Sequence, residues 1–256
     1  MKKSAFLALT IAILIPLLGY FLLKEVGKDA VFIPKHYFYD SVNVAKNGNT
    51  DTVWHKVRNI EFTNQLGKNV SLDDAHGKVL VVNFFFTRCP SICPKLTASM
   101  KRLQESFVKN PDIVQFISIS VDPTHDSVSV LRKYADKHKI DHDTWWMVTG
   151  DKTQIYDFAI HEMKANIADP GIDTAFIHTE DIFLLDSNRI IRGWYNGLDS
   201  NAQARLVRDI PTLMLEKSKD SPSVFRKFIP VLPLIFIGIG IVIVIMVFLE
   251  KSKKKN

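Results

Sequence analysis

The run Val79–Phe86 (VLVVNFFF) constrains the fold more than any other segment, because seven of its eight residues are apolar and none of the alternation of a half-exposed strand is present. Such a run suits a central strand covered on both faces, which calls for helices above and below a sheet. It leads directly into Thr87-Arg88-Cys89-Pro90-Ser91-Ile92-Cys93-Pro94, which holds both cysteines of the 256-residue chain. Four positions is about one helical turn, so in a helix-like turn the two sulfurs share a face, roughly 6 Å apart by Cα. That separation suits either a disulfide or shared ligation of one metal ion. Pro94 fits the first position of a following helix, where its missing N–H costs nothing; Cys93 then lies at the positive end of that helix, which favours its thiolate. A structural staple over so short a loop removes only about 2 kcal/mol of unfolded-chain entropy, and a domain of this size scarcely needs it.

The elements around this strand form an α/β series. Arg58–Thr63 and Val70–Leu72, with Gly67 between them, predict a hairpin. Lys95–Val108 has helical spacing through Leu96, Met100, Leu103 and Phe107, and Ile113–Val121 is a second strand. Thr124 or Asp126 caps a helix through Val128, Leu131 and Tyr134 to about His138. Trp145–Val148 is a short strand, with one ring expected in the core and the other at the surface, and Gly150-Asp151 opens a helix ending near Ile160. Asp181–Leu185 and Ile190–Tyr195 flank the turn Asp186-Ser187-Asn188-Arg189, a second hairpin; Asp199 or Ser200 caps a last helix that Pro211 must kink or interrupt. The plan is α/β with a mixed central sheet flanked by helices, and the two cysteines lie at the carboxyl end of a central strand, where ligands bind in such sheets.

Both ends of the chain are apolar. Residues 5–23 and 228–249 carry no charge and are long enough to cross a hydrocarbon core, so two transmembrane helices are expected. The expected organisation is a membrane anchor over 1–24, an irregular extracytoplasmic lead-in over 25–57, a globular domain over 58–217, a second span over 228–249 and a basic cytoplasmic tail over 250–256. No small-x-small cleavage site follows Leu23, which favours an uncleaved anchor over a signal peptide. The net charge of +6 resides in the lysine tails: six lysines and Glu250 lie outside the spans, leaving 27 positive against 26 negative residues elsewhere. Nucleic-acid binding is therefore not the reason for the basicity. Lysines at both ends place both termini in the cytoplasm and the central domain on the extracytoplasmic side of the cytoplasmic membrane.

Two thiolates joined by an imidazole make a soft, low-coordination donor set that suits Cu(I) and accepts Cu(II) when another ligand joins, whereas a structural zinc site wants four ligands. Spacing does not choose among the eight histidines, His36, His55, His76, His125, His138, His142, His161 and His178. His178 stands just before a predicted strand that can neighbour the cysteine-bearing one; His161-Glu162-Met163, with imidazole and thioether together, is its rival.

The order of elements resembles the thioredoxin superfamily, and within it NFFFTRCPSICP, ISISVDPTHDS and FIHTEDIFLLDSNRIIR resemble the Sco/SenC family of copper proteins in cytochrome c oxidase assembly. The likeness spans roughly residues 57–216. It implies Cys89, Cys93 and His178 as copper ligands and Asp122 as a supporting residue beside them. It further implies a carrier, not an enzyme, that delivers copper to the dinuclear copper centre of a terminal oxidase, whose copper-centre subunit and other copper chaperones are its partners. The alternative is a dedicated thiol–disulfide oxidoreductase acting on the oxidase cysteines, with Cys89 attacking and Cys93 resolving. A general thioredoxin-type exchanger is disfavoured by the CxxxC spacing and by Glu180 where a cis-proline would fall, and a peroxiredoxin by Val82 and Phe86 where it would carry proline and threonine. This chain departs from the family pattern at Phe86-Thr87-Arg88, at Ser91-Ile92 between the cysteines, and at Ile177 before His178, leaving Glu180 or Asp181 to orient that imidazole. Arg88 and the absence of an acidic neighbour are both expected to favour thiolate.

Overall fold

The computed structural model describes residues 14, 16–21, 33–44, 48, 50–166 and 179–219. Ile33–Lys217 form one compact unit and the flanking residues another. Of the second unit, Leu14 and Pro16–Phe21 are helical. Among the described residues no helix is long and apolar enough to cross a membrane. The stretch 228–249 and most of 5–23 lie outside the described residues.

The main unit is built on nine strands among the described residues. Strands β1 (Tyr39–Val44) and β2 (Thr50–Trp54) pair antiparallel as a separate ribbon. Strands β3 (Glu61–Asn64), β4 (Asn69–Ser71), β5 (Val79–Phe85), β6 (Val114–Ser120), β7 (Trp145–Thr149), β8 (Asp181–Leu185) and β9 (Ile191–Asn196) form one sheet in the order β4-β3-β7-β6-β5-β8-β9. The centre, β5, β6 and β7, is parallel, while β3, β8 and β9 join antiparallel, so the sheet is mixed as expected. Every residue of β5 and of β6 is buried, the outcome that the unbroken apolar runs required. Where polar groups enter these strands they bond to one another: the Trp145 indole donates to Ser118 Oγ at 2.9 Å, and Ser118 Oγ donates to Asn83 Oδ1 at 2.6 Å, tying β7, β6 and β5 together.

Helix α1 (Ile92–Ser106) lays Cys93, Leu96, Met100 and Leu103 into the core at helical spacing. It begins at Ile92, two residues before Pro94, which is its third residue instead of its first. The first-turn N–H groups have no intrahelical partner in any case, so the proline is tolerated equally well there. Helix α2 (Val128–Lys137) starts from Ser127 and is capped by neither Thr124 nor Asp126, because Asp126 is buried and its carboxylate is used elsewhere. Helix α3 (Lys152–Asp157), capped by Asp151 accepting from Gln154 N–H at 2.9 Å, continues into a π-helical turn, Phe158–Glu162. Helix α4 (Ser200–Lys219) is capped by Asp199, whose Oδ1 accepts from Asn201 N–H at 2.9 Å, and runs on through Pro211. Of the two tryptophans on β7, Trp145 is fully buried and Trp146 half-buried.

Residues 39–54 correct the expectation of an irregular lead-in. Tyr39–Val44 is exposed throughout and Thr50–Trp54 mostly so, and no burial pattern marked them in the sequence; besides the strand pairing, Trp54 stacks on His36 with ring centroids 4.6 Å apart and His55 Nδ1 lies 2.8 Å from Asp40 Oδ1. One glycine is required by packing: a Cβ on Gly197, in the turn before α4, would lie 2.2 Å from Leu96 Cδ1 and 3.1 Å from the Glu180 carbonyl oxygen. That close approach seats α1 against the end of the sheet.

Candidate metal centre

Strand β5 delivers its end to a short turn in which Cys89 N–H bonds back to the Phe86 carbonyl, and α1 then begins under Cys93. Both cysteines are thiols, 4% and 1% exposed respectively. They face one another across the first turn of α1, and Cys93 N–H donates to Cys89 Sγ at 3.3 Å. Burial works against ionising Cys89. The N–H groups of Cys93, Ser91 and Ile92 and the Cys93 side chain nevertheless all stabilise its charged form and hold its pKa below the usual thiol value. Burial pushes the Cys93 thiol up to about 12, with the neighbouring Cys89 and Asp126 adding to the shift. The expected assignment is thus reversed. Cys89, which precedes the helix, receives its free N–H groups and is the more readily ionised thiol, while Cys93, inside the first turn, is the less readily ionised one.

Arg88 does not act on the thiols as expected. Its Nη2 lies 2.5 Å and its Nε 3.2 Å from Asp122 Oδ2, and Asp122 is buried. Asp122 therefore anchors the residue preceding Cys89, which places it beside the site. Asp126, missed as anything other than a helix cap, holds the turn more firmly. Fully buried, it accepts from Thr87 N–H at 3.0 Å, Thr87 Oγ1 at 2.5 Å, Ser120 Oγ at 2.6 Å and His125 Nδ1 at 3.2 Å. The only sign of it in the sequence is a carboxylate between a buried strand and a helix that has Ser127 for its N-cap position. Asp122, His125 and Asp126 cluster within 4.8 Å. Their oxygens are engaged by Arg88, Thr124, Thr87, Ser120 and His125, so the cluster is scaffolding for the cysteine turn.

His178 and its neighbour Ile177 lie outside the described residues. What the structure does place is the strand that follows. β8 pairs antiparallel with β5, Asn83 opposite Ile182, so the chain enters β8 at the end of the sheet where β5 delivers the cysteines. The rival group separates instead: His161 is exposed and reaches toward Asp157, while Met163 is fully buried in the core. Glu180 and Asp181 have partners of their own, Asn196 Nδ2 at 2.9 Å and Thr179 Oγ1 at 2.7 Å.

The family model SCO1/SenC matches residues 50–215. The chain belongs to the SCO1/SenC family. It is 33% identical over 161 residues to the SCO1 protein homolog of Bacillus subtilis, covering 62% of this chain and 83% of that one. BsSco, a member of the Sco family of cytochrome c oxidase assembly proteins with an identified disulfide switch, superposes with a TM-score of 0.57 at 32% identity, over 64% of this chain and 96% of its own. A SCO1/SenC family lipoprotein from Bacillus anthracis does so equally, at 0.57 and 32%, over 62% and 95%. The copper-bound ScoI of Bradyrhizobium japonicum matches at 0.50 and 26%, over 60% and 98%. The SCO1/SenC unit is thioredoxin-like, with the two cysteines following a parallel central strand.

Proposed function

We propose that this SCO1/SenC protein binds copper through Cys89, Cys93 and His178 and delivers it, from the extracytoplasmic side of the cytoplasmic membrane, to the dinuclear copper centre of cytochrome c oxidase. The observation that carries the reading is the pairing of β8 with β5. It brings the start of β8 to the cysteine end of the sheet, and residue 178 is only three positions before Asp181, within about 10 Å of extended chain. The donors suit the cargo: two buried sulfurs, one of them with its pKa lowered by surrounding N–H groups, form a soft pair for Cu(I), and an imidazole completes a three-coordinate set. The copper-bound relative and the oxidase-assembly family of BsSco point the same way. Binding drives the proton from Cys93. Release runs by ligand exchange, as thiolates of the acceptor enter while His178 leaves.

A second reading has its own support. A lowered thiol at Cys89 beside a raised one at Cys93 is the pairing of an attacking and a resolving cysteine, and BsSco carries a disulfide switch. In that reading Cys89 attacks a disulfide of the oxidase subunit, expelling one sulfur. Cys93 then attacks Cys89 Sγ, freeing the second and leaving Cys89 and Cys93 oxidised. Anaerobic Cu(I) titration of the full chain in detergent separates the two. Cys89→Ser, Cys93→Ser and His178→Ala each abolish stoichiometric retention in the copper reading. If His178→Ala retains copper like wild type while Cys89→Ser and Cys93→Ser lose disulfide exchange, the reductase reading replaces it.

A further inference from the structure

Arg192, on β9 and 2% exposed, clasps both ends of the described unit. Its Nε lies 3.1 Å from the carbonyl oxygen of Pro34, and its Nη1 3.0 Å from Asp186 and 2.5 Å from Glu216. Pro34 is the second residue of the unit and Glu216 the last but one, so the chain enters and leaves this domain at one place. Only nine residues separate the apolar stretch 5–23 from Ile33, and eight separate Lys219 from the stretch 228–249. Nine residues reach about 30 Å at full extension, less than the width of a domain.

The surface around that clasp carries exposed aromatic rings. Trp194, two residues along β9, is 46% exposed, with Tyr37 at 4.6 Å and Phe38 at 6.0 Å between ring centroids. One residue beyond Phe38 the β1–β2 ribbon begins. Its cross-strand pairs Val42 with Thr52 and Val44 with Thr50 give it a face of β-branched, uncharged side chains, with Val44 71% exposed. A two-stranded ribbon with no core beneath it is marginal in water and needs a surface to cover it. Exposed Lys35 stands at the edge of the same region. Tryptophan and tyrosine with adjacent lysine and apolar β-branched groups have the chemistry of the boundary between lipid headgroups and acyl chains.

We propose that this face, Tyr37, Tyr39, Val42, Val44 and Trp194, rests on the surface of a lipid bilayer. The inference depends on the membrane expectation and is independent of copper. All four tryptophans, Trp54, Trp145, Trp146 and Trp194, lie within the described unit and none in the apolar stretches, so quenching of tryptophan emission by brominated lipid reads the approach of this domain to the bilayer. The full chain in nanodiscs of brominated phosphatidylcholine is expected to lose emission relative to plain discs. Trp194→Phe removes more than half of the quenched fraction, Val42→Ser/Val44→Ser lowers it at least twofold, and Trp146→Phe, on β7 four strands across the sheet from β9, leaves it unchanged. Equal emission from both kinds of disc, a quenched fraction as large in Trp194→Phe or in Val42→Ser/Val44→Ser as in wild type, a loss on Trp146→Phe, or a chain that does not enter the discs would each overturn the proposal; the first of these would assign the face to a protein partner.

Discussion

Replacing Asp126 with asparagine tests how the cysteine turn is held. Four donors converge on its two oxygens: Thr87 N–H, Thr87 Oγ1, Ser120 Oγ and His125 Nδ1. Asparagine keeps the shape and one oxygen but loses the charge and turns an N–H₂ toward the other donors. The three bonds from Thr87 and Ser120 each fall from about 1.5–3 kcal/mol for a charged acceptor to about 0.5–1.5 for a neutral one, for a total of about 3 kcal/mol. For a domain of this size that corresponds to a fall in Tm of about 6–12 °C, read by near-ultraviolet circular dichroism of the full chain in detergent. Thr87→Val removes the Oγ1 bond in advance, so in that background the cost of Asp126→Asn should shrink by about 1 kcal/mol. An unchanged Tm, or strict additivity of the two substitutions, would refute the assignment of Asp126 as the anchor of the turn.

Gly197→Ala drives a methyl into Leu96 and the Glu180 carbonyl and is expected to cost about 1–3 kcal/mol in thermal unfolding; combined with Leu96→Ala, which opens the space, the two losses should be less than additive. Iodoacetamide at neutral pH should modify Cys89 ahead of Cys93, because the former is lowered and the latter stays protonated up to about 12; mass spectrometry of the labelled peptides showing Cys93 first would contradict this. Copper affinity should rise with pH between 7 and 9, about tenfold per unit from the Cys93 proton alone; a flat competition titration over that window would count against Cys93 as a ligand. Tyr134 is pushed up to about 12 and Tyr195 is raised as well, in both cases first by burial. Each contributes stability that is complete below the unfolded tyrosine value near 10 and is lost as pH rises through the folded value, so phenolate absorbance and unfolding should appear together above about pH 10.

The parts of this chain that could be read in advance are those where one physical requirement dominates. Val79–Phe86 had to be a doubly covered strand, and Leu96, Met100, Leu103 and Phe107 had to line one helix face. The cysteine pair at the end of that strand followed from adjacency alone. The β1–β2 ribbon was hidden because its side chains face outward on both sides and leave no periodicity. The assignment of thiolate to Cys93 failed because a shift of two residues in the helix start moves the free N–H groups from one sulfur to the other, and helix starts are the least legible feature of a sequence. Asp126 and the Arg88–Asp122 pair were illegible because they join residues 39 and 34 positions apart. The approach of β8 to β5 was within reach of the sequence, since a strand after a long connection must find an open neighbour in the sheet, and Leu80 opposite Leu185 supplies it.

X-ray absorption at the copper edge of the Cu(I)-loaded full chain reads the ligand set itself. Two sulfur scatterers and one imidazole nitrogen are expected around a single ion, with the nitrogen lost in His178→Ala and one sulfur lost in each cysteine variant. A first shell of sulfur alone in the wild type, or an imidazole that persists after His178→Ala, would contradict that ligand set.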